Sequence, residues 1–275
     1  MAFGAKSNDG GIAAILKNTD INLIAAKKVE GASYDIKYFR NQSVGASYEM
    51  LTSNGGTTYP FFELAQGVSL EIASNSANDT VGGSGVGKAT VYGLDLSWDV
   101  QSVEVALNGI TYVPIPSTWA RVYRVRAGDS GTYDDSILNG TNDGDLTVRI
   151  VGTGTVVEVV EATVGSTLTS VRPCPAGFTM YVKSFNFSAG QNDDIDIQVR
   201  VRPNANNIIA PFSASRTIFT FAGRNQNINT NYEGWYEVPE YSDLYAIAAN
   251  NGGTPTKISG HYETVLINNS TFKIP

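Results

Sequence analysis

A strict alternation of apolar and polar residues is the feature that most limits the fold of this chain. In the segment DIDIQVRVR, residues 194–202, four aliphatic side chains alternate with charged or amide side chains. Because successive residues of a β-strand point to opposite faces, this pattern predicts a strand with one buried and one solvated face. Comparable segments follow one another between turn-rich stretches: VSLEI, ITYVPI, WARVYRVRA, DLTVRIV, TVVEVVEATV, FTMYVKSFNF, TIFTFAG, LYAIAAN and GHYETVLI. We therefore predict an all-β fold, an antiparallel β-sandwich of the jelly-roll kind.

One hairpin is marked especially clearly. Its first arm alternates apolar with small or polar residues, and after Asp99 the apolar parity shifts by one position. A one-residue change of parity indicates a turn or bulge between two strands. The apolar positions are Tyr92, Leu94, Leu96 and Trp98 in the first arm and Val103, Val105 and Leu107 in the second.

The beginning of the chain lacks this alternation. Residues 1–60 are predicted to form an N-terminal arm or linker, either extended or with short helical turns, because Asn18, Thr19 and Asp20 can cap a helix. An arm of this kind can also pack onto a neighbouring subunit. Residues 61–275 are predicted to form the β-sandwich region, with a possible boundary near residues 166–176.

Charge and composition exclude several classes of protein. The net charge is -7 and only 16% of residues are charged, so we expect no nucleic-acid partner, because such affinity comes mostly from Lys and Arg. No segment reaches the roughly 20 apolar residues that a membrane span needs, so no membrane partner is expected. Cys174 is the only cysteine, and a turn or buried thiol is its simplest role.

The segment DTVGGSGVGKAT has the spacing of a phosphate-binding loop, Gly82-x4-Gly87-Lys88. Such a loop needs a buried strand before it, a helix after it, and Ser or Thr after the Lys. Here the preceding residues are polar, Ala89 follows the Lys, and an alternating strand pattern comes next. The glycines therefore indicate an exposed loop between two strands, and no cofactor is predicted.

Catalytic and metal-binding patterns are weak. His261 is the only histidine and lies on an alternating segment, so a half-buried or intersubunit imidazole is the simpler interpretation than a catalytic one. The acidic loops TNDGD and QNDDID offer oxygen ligands for calcium but lack EF-hand spacing, which favours solvated hairpin loops. A glycosidase built on two distant carboxylates stays open, although no pair stands out. The acidic residues concerned are Asp143, Asp145, Asp193, Asp194 and Asp196, beside Asn142.

Aromatic residues cluster in the segment NYEGWYEVPEY. Exposed Tyr and Trp side chains can form a sugar-binding platform or the centre of a protein–protein interface, and they can equally pack in the core. The candidate contact residues are Tyr232, Trp235, Tyr236 and Tyr241.

Four short motifs resemble a family of virion structural proteins from tailed bacteriophages. The matching stretches are Ser76–Thr80 (SANDT), Val91–Asp95 (V-x-G-L-D), Val105–Gly109 (V-x-L-N-G) and Pro175–Thr179, and YEVPEYSDLYAIAANN resembles the closing strand of that family. The resemblance covers about residues 65–267. The chain departs from the family pattern in the longer loop YDDSILNGTND and in Cys174, and the N-terminal arm is not covered.

The resemblance implies a non-enzymatic part of a virion, assembled in the host cytoplasm. A capsid-decorating, cement or fibre-base protein is expected, forming a homo-oligomer such as a trimer and contacting the major capsid protein or other virion proteins. Two other functions stay open: a tail or fibre module that binds a host receptor or glycan, and a carbohydrate-active enzyme on a β-sandwich.

Overall fold

The computed structural model describes residues 21–54, 58–133, 140–190, 194–224 and 227–271. Apart from two helices of five residues each, α1 (Ile21–Ala25) and α2 (Phe61–Ala65), the regular elements in these ranges are strands. Neither of those helices has the length needed to span a membrane.

Sixteen strands follow one another along the described parts of the chain. They are β1 (Ala32–Val44), β2 (Glu49–Met50), β3 (Val68–Ser74), β4 (Lys88–Leu94), β5 (Val100–Ala106), β6 (Val113–Trp119), β7 (Arg121–Ala127), β8 (Leu146–Ile150), β9 (Val156–Val160), β10 (Arg172–Cys174), β11 (Phe178–Ala189), β12 (Asp194–Arg202), β13 (Arg216–Arg224), β14 (Asn227–Val238), β15 (Ser242–Asn250) and β16 (Thr256–Asn268).

Eight of these strands form a jelly roll. Its two sheets have the strand orders β1-β16-β11-β14 and β10-β15-β12-β13, with the short β2 also pairing with β15. The antiparallel pairs of these sheets include β1 with β16, β10 with β15, β11 with β14 and β12 with β13. Among these eight strands the first therefore pairs with the eighth, the second with the seventh, the third with the sixth and the fourth with the fifth. This nesting is that of a long hairpin rolled into two sheets, so the predicted all-β jelly-roll sandwich is confirmed.

The other seven strands form a second sandwich, which we call the inserted sandwich. Its sheets have the orders β6-β3-β8-β9 and β5-β4-β7. The chain enters it after β2 and returns to the jelly roll at β10, so the whole unit lies between the first two main jelly-roll strands. The return path contains the segment 166–176 that the sequence analysis proposed as a possible boundary.

Each sandwich has its own apolar core, and β15 contributes to both. Its Leu244, Ala246 and Ala248 belong to the jelly-roll core, whereas Ile247 belongs to the core of the inserted sandwich. A strand that is buried on both faces has a nearly continuous apolar sequence. This explains the segment LYAIAA, in which the alternation of the other strands is missing.

Two local predictions need correction. Residues 32–50, predicted to belong to the arm or linker, include β1 and β2, and β1 pairs with β16 over most of its length. The hairpin of β4 and β5 is present, but β4 ends at Leu94, so Leu96 and Trp98 lie in the connecting turn. The Asp95 carboxylate accepts the backbone N–H groups of residues 97 and 99 and thereby forms this turn.

Candidate functional site

The family-like motifs hold turns of the inserted sandwich together. Asp79 of the SANDT motif is fully buried, and its carboxylate accepts hydrogen bonds from the Ser74 hydroxyl and from the backbone N–H groups of Val86, Asp143 and Gly144, at 2.6–2.9 Å. One side chain thus ties the glycine-rich loop to the loop before β8. The motif serves the fold, since these hydrogen bonds use the carboxylate oxygens that a ligand would need.

The glycine-rich loop leads directly into a strand. Lys88 is the first residue of β4 and forms ion pairs with Glu104 at 3.0 Å and Asp129 at 3.2 Å. There is no helix here whose N–H groups could bind a phosphate, in agreement with the interpretation of the loop as a connection between strands.

The acidic loops also have structural roles. The Asn142 amide donates to the backbone carbonyl oxygens of Gly144 and Glu161, Asp145 accepts the N–H of Ala162, and Asp196 accepts from the Tyr48 hydroxyl. Asp193 lies outside the described residues. Within the described ranges no cluster of three or more His, Cys, Asp or Glu side chains is arranged to hold a metal ion.

The four candidate aromatic residues do not form one platform in the described structure. Trp235 packs with Ile24 of α1 on the outer face of the β1-β16-β11-β14 sheet, and Tyr236 packs against the jelly-roll core. Tyr241 packs edge-on against Trp98, with ring centroids 5.9 Å apart. The Tyr232 side chain lies outside the described residues. Whether these residues contact a partner stays a prediction.

A groove of about 580 Å³ lies on the outer face of the same jelly-roll sheet. Three strands form its floor in matched register: Tyr38 is opposite His261, and His261 is opposite Asn186. One row further, Arg40 and Ser188 flank Ser259. We call this cavity the Tyr38 groove; its side chains are those of Tyr38, Arg40, Asn186, Ser188, Lys257, Ser259 and His261, with Leu168 at the side.

Alternation along the strands explains why these side chains meet. On β1, Phe39 is 1% exposed in the core, whereas its neighbour Tyr38 is 56% exposed in the groove. On β16, residues 257, 259 and 261 face the groove. Gly260, which lies between residues 259 and 261, faces the core, and a Cβ added at Gly260 would lie 2.7 Å from the Phe39 ring. His261 is identifiable from the sequence alone but the groove is not, because residues 32–44 of β1 fall in the predicted arm.

The groove has aromatic and hydrogen-bonding character. The rings of Tyr38 and His261 lie 5.3 Å apart at an angle of 50°, and the Asn186 side-chain nitrogen is 3.0 Å from Nε2 of His261. This contact fixes the orientation of the imidazole on the strand. The described lining residues include hydroxyl, amide and cationic side chains but no Asp or Glu.

Buried charges lie at the junction of the two sandwiches. Lys37 on β1 is buried, and its ammonium group donates to the carbonyl oxygen of Tyr123 on β7. Burial lowers the pKa of Lys37 to about 7, although the charges of Glu158 and Asp35 oppose the decrease. Burial likewise raises the pKa of Glu158 on β9 to about 8, against the opposing effects of Lys37 and a hydroxyl group. The pair is enclosed and belongs to the junction, not to the groove.

Comparison with known proteins finds similar solved structures at low identity. No protein-family profile and no curated protein matches the chain. Among solved structures, the chain is similar to the VP2 subviral particle of infectious bursal disease virus, at a TM-score of 0.22 and 9% identity, covering 92% of this chain and 78% of that one. The Gx strain of the same virus gives a TM-score of 0.25 at 8% identity, with coverages of 90% and 74%. Scores and identities this low carry no conclusion about the role of this chain.

Proposed function

We propose that this chain is a non-enzymatic structural component of a virus particle. The observation that carries the proposal is the nested pairing of the eight jelly-roll strands, an architecture that viral capsid proteins share with lectins and with metal-dependent enzymes. One fold supports many unrelated functions. The chemistry of the side chains is therefore needed to distinguish capsid proteins, lectins and metal-dependent enzymes.

The residues disfavour the enzymatic class. Metal-dependent enzymes on this fold need a cluster of metal ligands, and the whole chain contains one histidine and one cysteine. Cys174 is buried in β10, and burial raises the pKa of its thiol to about 12, so it is not a reactive thiolate. His261 is oriented by Asn186 and not by a carboxylate.

The four sequence motifs support the finer assignment to a tailed-phage particle, where they resemble virion proteins that decorate or stabilise the capsid. In this chain the SANDT motif supplies the buried carboxylate of Asp79, and the glycine of V-x-G-L-D lets β4 approach Arg121 on β7. Motifs that preserve turns and close strand packing are typical of a building block.

Contact between copies, or with the major capsid protein, is supported by an exposed apolar loop. Ile209 is 74% exposed beside Ile208 and Phe212, and the Phe212 ring lies 5.6 Å from that of exposed Phe62 on α2. Contiguous exposed apolar side chains of this kind mark protein–protein interfaces. We propose that the homo-oligomeric contact, such as that of a trimer, lies at this loop.

The test uses particles assembled without this chain, to which the purified chain is added back. Saturable binding, followed by greater resistance of the particles to heat, is expected, because many weak contacts act together on a symmetric shell. The Ile209→Ser/Phe212→Ser variant should be monomeric and should bind less well, whereas Val81→Ser, an equally exposed apolar residue elsewhere, should behave as wild type. Absence of binding by the folded wild-type chain at micromolar concentration would overturn the capsid role.

A further inference from the structure

The Tyr38 groove differs from the rest of the outer sheet face. At one end of this face α1 covers the strands, with Ile24 buried against Tyr181 and Val265. The groove lies beyond this covered part. There Tyr38 presents an aromatic ring that is 56% exposed on a strand whose next residue, Phe39, is fully packed. The sheet therefore has an uncovered aromatic surface where the fold itself does not require one.

Small residues keep the floor of the groove open. Ser188 and Ser259 occupy two of the three positions in the row next to Tyr38 and His261, beside Arg40, so two of the side chains that rise from the floor in this row are short. The result is a concave space of about 580 Å³, which lies within the range of about 300–1,000 Å³ that is typical of small-ligand sites. One or two sugar rings fit a space of this size.

The polar groups around this space suit a polyhydroxylated ligand. Asn186 carries both a donor and an acceptor, and the hydroxyl groups of Ser188 and Ser259 can each donate and accept. The Tyr38 ring provides an apolar face with a polar tip, the combination used where one side of a ligand is apolar and the other is hydrated. Sugar rings have both kinds of surface.

The groove is also positively charged in an acidic protein. Its described lining contains Lys257 and Arg40 but no Asp or Glu, whereas the chain as a whole has a net charge of -7. Arg40 is paired with Glu161 at the side of the groove, and Glu263, two residues from His261, is paired with Lys183. Within the described ranges no carboxylate pairs with Lys257, so its charge is open to a ligand.

We propose that the Tyr38 groove binds a saccharide that carries an anionic group, with a sugar ring against Tyr38, its hydroxyl groups on Asn186 and the two serines, and the anion on Lys257. The anion is a carboxylate or a phosphate, since both accept charged hydrogen bonds from an ammonium group. The groove gives the protein a binding activity in addition to the structural role proposed above, and this activity does not depend on that role.

Binding is measured by calorimetry or by NMR titration with matched probes. Sialyllactose is compared with lactose, and glucose 6-phosphate with glucose, so that each pair differs in the anionic part. Inorganic phosphate is the probe for an anion without a sugar. One acidic member is expected to bind at least about tenfold more tightly than its neutral partner, a difference that corresponds to about 1.4 kcal/mol. Binding of sialyllactose would identify the anion as a carboxylate, and binding of glucose 6-phosphate would identify it as a phosphate.

Variants locate the binding in the groove. Tyr38→Ala is expected to weaken binding of the acidic sugar about tenfold, and Lys257→Gln is expected to remove the preference for the acidic member. The matched controls are Tyr133→Ala, which removes a tyrosine that is 85% exposed, and Arg216→Gln, which removes an exposed charge on β13. Both controls should bind as wild type, and circular dichroism verifies that every variant is folded.

Three results would overturn the assignment. The first is no binding of either acidic sugar at millimolar concentration by the folded wild-type chain. The second is equal binding of acidic and neutral partners. The third is binding that Tyr38→Ala and Lys257→Gln leave unchanged. The assignment would be overturned equally if inorganic phosphate reproduced the binding in full, because the groove would then not recognise the sugar.

Discussion

Arg121 on β7 and Asp243 on β15 form a bidentate ion pair across the junction of the two sandwiches, with N–O distances of 2.9 and 2.8 Å. Both side chains are fully buried. The guanidinium group also donates to the backbone carbonyl oxygens of Phe61 and Ala205, and it lies 4.9 Å from the Trp98 ring. Because the guanidinium N–H groups donate to acceptors on both sides of the junction, this side chain links the inserted sandwich to the jelly roll.

Breaking the Arg121–Asp243 pair is expected to be costly. Arg121→Met leaves the Asp243 carboxylate buried without a counter-charge, so the free energy of unfolding should fall by about 3–5 kcal/mol. The double variant Arg121→Met/Asp243→Leu should recover much of this loss, because no buried charge is left. Urea denaturation measures both.

The control for this pair is the partly exposed pair of Arg149 and Glu71, at 2.6 Å. Arg149→Met should cost no more than about 1 kcal/mol, since solvent screens such pairs. Equal losses in Arg121→Met and Arg149→Met would contradict the importance given to the junction pair.

The buried Lys37 and Glu158 predict an unusual pH dependence of stability. In the folded chain their pKa values are about 7 and about 8, compared with ordinary values of 10.5 and 4.5. From about pH 5 to 7 the folded pair binds one more proton than the unfolded pair, and from about pH 8 to 10 it binds one fewer. Its contribution to stability therefore falls with rising pH over the first interval and rises over the second.

The measurement compares the wild type with Lys37→Met/Glu158→Gln, which cannot titrate at these positions. Urea titrations between pH 5 and 10 give the free energy of unfolding of both proteins. The wild-type value minus the variant value should be lowest near pH 7 to 8. A difference that is independent of pH would show that the two groups keep ordinary pKa values.

The carboxylate of Asp79 is expected to be essential for the turns of the inserted sandwich. Asp79→Ala removes the acceptor of three backbone N–H groups and one hydroxyl group, and it leaves buried donors without partners. A loss of about 2–4 kcal/mol is expected, measured by thermal or urea unfolding. Asp129→Ala, which removes an exposed acid from the same loop region, should change stability by less than about 1 kcal/mol; similar losses in both variants would contradict the role of Asp79.

Gly93 is predicted to tolerate no side chain. A Cβ at this position would lie 2.0 Å from the carbonyl oxygen of Arg121 and 2.8 Å from the Trp119 ring. Gly93→Ala should therefore separate β4 from β7 and cost about 1–3 kcal/mol or more, as measured by urea denaturation. Gly45→Ala is the control, because its nearest neighbour is the flexible Glu49 side chain at 3.1 Å; a loss as large at Gly45 would show that the close approach at Gly93 is not the cause.

Much of the fold can be predicted from the sequence where one face of a strand is solvated. The segment of β12 alternates over nine residues and is a strand with that alternating burial. Where burial is two-sided, as in β15, the alternation is lost although the segment is still predicted as a strand, and the prediction failed where a turn interrupts the pattern. The apolar alternation continues past Leu94 to Trp98, although the Asp95 turn ends the strand, because Trp98 packs at the junction between the sandwiches.

The candidate site could be predicted only in part. His261 stands out in the sequence because it is unique, but its neighbours come from β1 and β11, which are more than 70 residues away in the chain. Lys37 lies on the buried face of β1, within the residues 1–60 that are predicted from the sequence to form an arm or linker. Such long-range groupings follow from the jelly-roll pairing of the first and last strands, which no short segment encodes.

The virion role is tested most directly by the amount of this chain in purified particles. Quantitative mass spectrometry of gradient-purified virus particles should detect the chain at a fixed ratio to the major capsid protein, in a copy number that matches the symmetry of a shell or of a ring within the particle. A chain that is produced during infection but is absent from the particles and remains in the soluble lysate would contradict this role.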